Sequence, residues 1–342
     1  MAGILVSIVI VNWNGKRFLK DCLESVRSQG SASVEVIFVD NGSTDSSVEF
    51  VRSNFPGVVL IGNAENLGFA RANNQGIKKA AGKYILTLNN DTVLGKGFLS
   101  ELVKSAEGSA EDVGMWAVKI LSFDEQVVID SVGGLLIYPD GLAKGRGRLE
   151  KDSGQYDHSG EVFIPSACAG LYRRSMLEEV GLFDEDFFAY CEDTDLGIRA
   201  RLAGWKTVSV PGAVVYHHYS GTGGRYTPFK AYLVERNHIW VALKNFPLRL
   251  LVLFPLYTKW RYIIQVYGIL SGKGAGGRFV EGFSKTDLFR VLIKAYVDAL
   301  KALPAVLAKR RAVRKKRVVA AKTVSSWFKS YGIGAKELVL KD

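Results

Sequence analysis

Through the first ninety residues, short apolar runs alternate with longer stretches of helical period, and most of the runs close on Asn, Asp or Gly. No other feature constrains the fold as tightly. The pattern predicts strands over 6–11, 34–39, 58–61 and 84–88, and helices over 17–28, 46–53 and 70–81. Ser46 and Ser47 stand where N-cap hydroxyls are expected. The strands are continuously apolar instead of alternating, so both faces of their sheet must be covered. Parallel sheets packed between helices have that character. The start of the chain is therefore predicted to be a doubly wound α/β fold. The opening MAGILVSIVIVNWNGKRF has no basic segment before its apolar run, which stops at Asn12; a buried first strand is expected there, not a signal peptide.

Open α/β sheets bind ligands beyond the carboxyl ends of their strands. The loops at those ends are Asn12-Trp13-Asn14-Gly15, Asp40-Asn41-Gly42-Ser43-Thr44-Asp45, residues 63–68 and Asn89-Asn90-Asp91. Each alone is explained equally well by turn chemistry. Four in succession read as one lined pocket. The segment 115–165 lacks a strong period and is expected to hold an antiparallel hairpin and a mobile loop. Beyond it come a helix over Arg174–Val180, the acidic Glu192-Asp193-Thr194-Asp195, a helix over 196–203 stopped by Gly204, and a strand over 208–217.

With 342 residues the chain has room for one large domain or two ordinary ones, and 48% hydrophobic content marks it as globular. Cys22, Cys168 and Cys191 are too few and scattered for a disulfide framework or a four-ligand zinc site, which favours a reducing compartment. Charge divides the chain: residues 225–342 carry 24 Lys/Arg against 6 Asp/Glu, a balance of +18, and residues 1–224 balance at −7. We read domains at 1–225, with halves 1–95 and 96–225, and 226–342. Residues 248–270 are apolar and aromatic but interrupted by Pro255, Lys259 and Arg261; a membrane span there is the weaker reading. The amphipathic repeat over 287–307 and the basic run KRRAVRKKR (309–317) suit an interfacial helical region on anionic lipid. A helical dimerisation domain and a nucleic-acid arm are the alternatives; the aromatic neighbours favour membrane over nucleic acid.

No GxGxxG follows the first strand, and no GxxxxGK[ST] or GxSxG occurs, which removes the main signatures of Rossmann dehydrogenases, P-loop NTPases and α/β-hydrolases. The remaining candidates are Asp40, Asp91, Glu192, Asp193, Asp195 and His217. Asp91 at a strand end, with a His from a later strand, suits Mn²⁺ or Mg²⁺ bridging a diphosphate; a turn cap explains Asp91 as well, and packing explains a lone His. The Glu192/Asp193 pair suits acid–base work or simply complements a helix dipole.

The motifs SIVIVNWNG (7–15), VIFVDNGSTDSS (36–47), NLGFARANNQGI (66–77), YILTLNNDTV (84–93), the segment 168–205 from CAGLYRRSM to IRARLAGW, and VVYHHYSGT (214–222) occur in this order. Together they resemble family 2 glycosyltransferases of the GT-A fold, near bacterial rhamnosyltransferase-like members. The C-terminal helical membrane-associating region lies outside the resemblance and rests on composition alone. The resemblance implies a mixed sheet flanked by helices. It implies inverting transfer from a nucleotide-diphosphate sugar, dTDP-rhamnose being one example, to a lipid-linked or cell-surface polysaccharide. Mn²⁺ or Mg²⁺ would be the cofactor, and the location the cytoplasmic face of the cell membrane, attached peripherally to its anionic surface. Residue by residue, it implies Asp193 as catalytic base and Asp91 with His217 as metal ligands. Asn12 and Asp40 would contact the nucleoside, and Asn66, Gly68 and Arg71 the base and diphosphate. Asn90, Glu192 and Asp195 would complete the substrate site. Asn89 replaces the first carboxylate of the family's Asp-x-Asp, and His218 competes with His217 for the metal. A non-catalytic sugar-nucleotide-binding or membrane-scaffold protein of the same fold is the alternative.

Overall fold

The computed structural model describes residues 4–30, 33–219, 224 and 226–341. Residues 1–3 of the opening stretch, 220–222 of the last motif, 225 at the expected domain boundary and 342 lie outside the described residues.

Strands β1 (Val6–Asn12), β2 (Val34–Asp40), β3 (Val59–Gly62) and β4 (Tyr84–Asn89) run parallel in the order β3-β2-β1-β4. Helices α1 (Lys16–Arg27), α2 (Ser47–Asn54) and α3 (Phe69–Lys79) connect them. Successive strand residues face opposite layers. Ile8, Ile10, Phe38 and Leu86 pack with Leu19 and Leu23 of α1, while Val9, Ile37 and Ile85 pack with Ala70, Ala72 and Ile77 of α3. The predicted serine cap of α2 is corrected: Ser46 adopts φ 61° and makes no side-chain cap, and the Asp45 carboxylate accepts from Ser47 N–H at 3.2 Å.

The chain then adds β5 (Thr92–Leu94), α4 (Phe98–Gly108), β6 (Val113–Ser122), β7 (Ile129–Val132), β8 (Leu135–Ile137), β9 (Ala143–Gly145), β10 (Glu161–Val162) and β11 (Ala169–Arg173). After these come α5 (Arg174–Val180), α6 (Glu192–Leu202) and β12 (Lys206–His217). Strand β11 inserts antiparallel between β4 and β6, and β12 runs parallel to β6, so the sheet is mixed. Strands β8 and β9 form the expected antiparallel hairpin. The stretch expected as a mobile loop is instead tied down: Lys119 pairs with Asp152 at 2.7 Å and with Asp157, and Tyr156 donates to Glu150 at 2.9 Å.

Helices α7 (Pro228–Asn245), α8 (Leu248–Ser271), α9 (Gly274–Gly282), α10 (Lys285–Lys301), α11 (Leu303–Lys316), α12 (Ala321–Ser330) and α13 (Ala335–Leu340) complete the fold. The predicted repeat over 287–307 breaks at Ala302, because Pro304 opens a new helix. No helix among the described residues is long and apolar enough to cross a membrane. Phe163, Phe187 and Ile198 share one core with Trp240, Phe246, Ala299 and Trp327. The composition boundary at 225 therefore does not separate two cores. The basic run is also corrected in part. Lys309 pairs with Asp184 and Asp186, Arg310 donates to Leu243 O at 2.6 Å, and Lys316 donates to Glu179 O at 2.5 Å. Lys309 and Lys316 dock α11 onto the α/β layer, and Arg310 docks it onto α7.

Candidate active site

A cleft of about 820 Å³ opens beyond the carboxyl ends of β1, β2 and β4. Its walls include Trp13, Asn41, Asn66, Asn90, Asp91, Glu192, Asp193 and His217, with Arg261 and Gln265 contributed by α8.

An amide–carboxylate network forms the floor. Asn12 Nδ2 donates to Asp40 Oδ1 and to Ser43 Oγ, both at 3.0 Å, and Asn12 Oδ1 accepts from Asn90 Nδ2 at 2.6 Å. Asp40 Oδ2 accepts from Ser43 N–H at 2.9 Å. These bonds satisfy groups that would be costly to bury alone. They also correct the expectation for Asn12 and Asp40: both are fully buried and neither lines the cleft. Asn41, absent from the sequence candidates, takes the wall position instead. Its Nδ2 donates to Asn66 Oδ1 at 2.8 Å, and its Oδ1 accepts from Leu67 N–H at 3.0 Å.

Gly68 and Arg71 also depart from expectation. Gly68 has φ +87°, and a Cβ there would meet the Phe188 ring at 2.6 Å, so the glycine admits Phe188 to the wall without touching the cleft itself. Arg71 is half exposed, 3.7 Å from Glu185, and does not line the cleft. Phe188, Tyr190 and Cys191 adopt φ values of 64°, 68° and 68°. Three left-handed non-glycine residues beside one cleft are strained, and such strain persists only where surrounding packing enforces it.

His217 and Asp91 meet because β5 pairs with β12, which sets His217 against Thr92. His217 Nδ1 lies 2.7 Å from Asp130 Oδ2, and Nε2 lies 3.4 Å from Asp91 Oδ1. Asp130 also pairs with Arg148. An Nδ1–H held by Asp130 turns the Nε2 lone pair toward the Asp91 carboxylate. Two acceptors at that separation repel unless a proton or a cation lies between them. Burial opposes a charge on the ring, but Cys168, Asp130 and Asp91 hold the His217 pKa well above its ordinary value. Asn89 Oδ1, also on the wall, is buried and has no hydrogen-bond partner among the described residues. A carboxylate, an imidazole nitrogen and an orphaned amide oxygen are a donor set that fits a hard divalent cation. No cluster of three or more His, Cys, Asp or Glu suited to a metal occurs among the described residues, so other ligands would have to complete the shell. His218 turns out of the cleft and stacks on Phe123, with centroids 3.7 Å apart.

Helix α6 begins at Glu192, four residues before the predicted start. Asp193 Oδ2 accepts from Ala167 N–H at 3.2 Å, and Oδ1 accepts from Thr194 N–H at 2.6 Å. Glu192 Oε2 is buried with no partner among the described residues. Burial raises both pKa values, that of Glu192 further because of the neighbouring Asp193 charge, whereas hydrogen bonds restrain Asp193. Of the two, Glu192 is the more readily protonated and Asp193 the better stabilised as carboxylate. Asp195 is a correction: two residues on, it points about 200° away around the helix. It is fully buried against Arg199 at 2.7 Å, Lys244 at 2.9 Å and Asn245 at 2.9 Å. Asp195 anchors α7 to α6 and does not reach the cleft.

Sequence reasoning missed Asp130, Arg148 and Tyr190, which also line the cleft. Asp130 and Arg148 lie in the segment without clear period, and Tyr190 stands inside the 168–205 motif two residues before the acidic run.

A mixed sheet of this order, with paired acids and a carboxylate–imidazole pair at its carboxyl edge, defines a glycosyltransferase of the GT-A fold. The sequence model described as "Glycosyl transferase family 2" matches residues 7–181, half of the chain, and the chain belongs to that family. A curated relative, the N-acetylglucosaminyl-diphospho-decaprenol L-rhamnosyltransferase of Mycobacterium tuberculosis, is 27% identical over 248 residues, covering 65% of this chain and 78% of the relative. Among solved structures, S. aureus TarS 1-349 in complex with UDP-GlcNAc gives a TM-score of 0.55 at 18% identity, covering 95% of this chain and 92% of that one. GalNAc-T7 with UDP, GalNAc and Mn²⁺ gives 0.57 at 17% identity over 70% of this chain; the chain spans 48% of that protein.

Proposed function

We propose that this chain is an inverting, divalent-metal-dependent glycosyltransferase using a nucleotide-diphosphate sugar. Its acceptor is a lipid-linked or cell-surface glycan, met at the cytoplasmic face of the membrane. The observation that carries this reading is one cleft holding both a hydrogen-bonded carboxylate, Asp193, and the Asp91–His217 pair. The relative's name, which joins L-rhamnose to a diphospho-decaprenol-linked sugar, supports rhamnose as the sugar and a polyprenyl-linked acceptor.

Asn41, Asn66 and Asn90 present amides to the donor, over the floor held by Asn12 and Asp40. Asp91, His217 and the Asn89 amide oxygen would hold Mn²⁺ or Mg²⁺. When bound, the cation supplies positive charge to the leaving diphosphate. Asp193 accepts the proton of the attacking acceptor hydroxyl as that oxygen approaches the anomeric carbon from the face opposite the diphosphate. Protonated Glu192 stays neutral and donates to an acceptor oxygen.

The test is transfer with a panel of nucleotide sugars, Mn²⁺ and a polyprenyl-diphosphate-linked acceptor. Asp193→Asn is expected to lose about 10²–10⁴-fold in turnover while keeping donor-induced thermal stabilisation. Undiminished turnover would remove the base. Donor binding with no transfer by the parent chain would favour the non-catalytic alternative, for which the missing carboxylate at Asn89 speaks.

A further inference from the structure

Helix α8 turns Arg261 and Gln265 toward the cleft and buries Ile264. Its opposite side carries Leu248, Val252, Leu256, Trp260, Ile263 and Leu270, each between 51% and 74% exposed. Spacings of four, three and seven put them on one stripe along the 24-residue helix. The helix has no acidic residue, and its exposed charges are Arg249 and Lys259. Beside it α10 exposes Phe289, Ile293 and Leu300. Between the two helices lies an apolar groove of about 580 Å³, with Phe254 and Val266 on one wall and Tyr296 on the other. A continuous apolar surface of this extent marks an interaction site.

We propose that this stripe of α8, together with α10, is the surface that seats the chain on an anionic bilayer, with one lipid chain entering the groove. The proposal deepens the membrane part of the reading above by moving attachment from the basic run to α8. Charge selects the occupant. The two helices carry the exposed cations Arg249, Lys259, Lys285, Arg290, Lys294 and Lys301 against two acids, Asp287 and Asp298. Two copies meeting face to face would crowd that charge together, whereas anionic headgroups neutralise it. Trp260 and Tyr267 suit the depth where headgroups meet acyl chains. Because α8 also walls the cleft, the site lies about one helix diameter, ~10 Å, from the lipid.

The test is flotation of the full chain with vesicles of phosphatidylcholine alone or mixed with phosphatidylglycerol, alongside light scattering and thermal melting. The parent is expected to float with the mixed vesicles. Leu256→Glu combined with Ile263→Glu, both at exposed positions, is expected to cut binding by roughly tenfold or more with an unchanged melting temperature. Arg311→Glu combined with Lys315→Glu is expected to retain most of it. Equal flotation of the α8 variant overturns the proposal. So does a parent dimer that the α8 variant splits without any vesicle binding. Nucleotide-sugar binding, read separately by thermal shift, distinguishes the two conclusions. A chain that floats but binds no donor defeats the functional reading alone, and one that binds donor without floating defeats the docking surface alone.

Discussion

Replacing Asp130 by Asn probes how the Asp91–His217 pair is oriented. Asp130 accepts from His217 Nδ1 at 2.7 Å while also pairing with Arg148. An Asn at this position has one oxygen for two donors. If that oxygen keeps the imidazole, its NH₂ confronts the guanidinium; if it turns to Arg148, the imidazole loses its acceptor. Either way one charge-assisted hydrogen bond disappears from a largely buried site, worth about 1.5–3 kcal/mol. Second-layer partners of metal-bound histidines govern about 10–100-fold in affinity, or about 1.4–2.7 kcal/mol, so the two estimates agree. The assay is calorimetric titration of Mn²⁺ at saturating nucleoside diphosphate, comparing parent, Asp130→Asn and Asp130→Ala. Asn is expected near the lower end of the loss and Ala near the upper. Mn²⁺ affinity unchanged in both variants would refute the reasoning, and a fall in melting temperature alone would reduce Asp130 to packing.

Glu192→Gln, isosteric with the protonated acid, is expected to retain most transfer activity and to lose one ionisation from the pH profile of kcat/KM; a variant as inactive as Asp193→Asn contradicts the proton assignment. Lys244→Met leaves Asp184 and Asp195 short of a buried cation, and a loss of about 3 kcal/mol is expected in urea melts, Arg199 and Lys309 limiting the damage. Burial pushes the Asp195 carboxyl up, but Lys244 and Arg199 hold it well below the usual range. With the folded pKa depressed, this contribution is complete above the unfolded value near 4 and fades as pH falls below it, so parent and Lys244→Met melts should converge in acid. Gly68→Ala forces a left-handed alanine against Phe188, and a loss of about 1–3 kcal/mol is expected by thermal melting, with weakened donor binding.

Much of the architecture is legible in the chain because local patterns report it. Helix α5 has the predicted bounds, and strands β1, β2 and β4 each differ from prediction by a single residue at the polar end. Continuous apolar strands require covering on both faces, which forces the parallel arrangement. The candidate site was less legible. Asn12 and Asp40 stand at the predicted strand ends, yet the register Asn12 with Asp40 lets them satisfy each other beneath the floor. Four acidic or polar residues in Glu192-Asp193-Thr194-Asp195 look equivalent until the helix start is known, because only the phase of α6 decides which of them face the cleft.

The family resemblance singled out Asp91, Asp193 and His217; the sequence by itself determined the order of strands and helices along the chain, the polar loops at the sheet edge, and the wider set of candidates Asp40, Asp91, Glu192, Asp193, Asp195 and His217. Those follow from periodicity and residue type, which are local. Only the tertiary structure decided that Asp130 backs His217, that Asp195 anchors α7, and that the basic run turns part of its charge inward while α8 presents its apolar side. Each of these depends on strand register, helix phase or the packing of segments far apart in sequence, and one residue of slip in any of them would aim a different side chain.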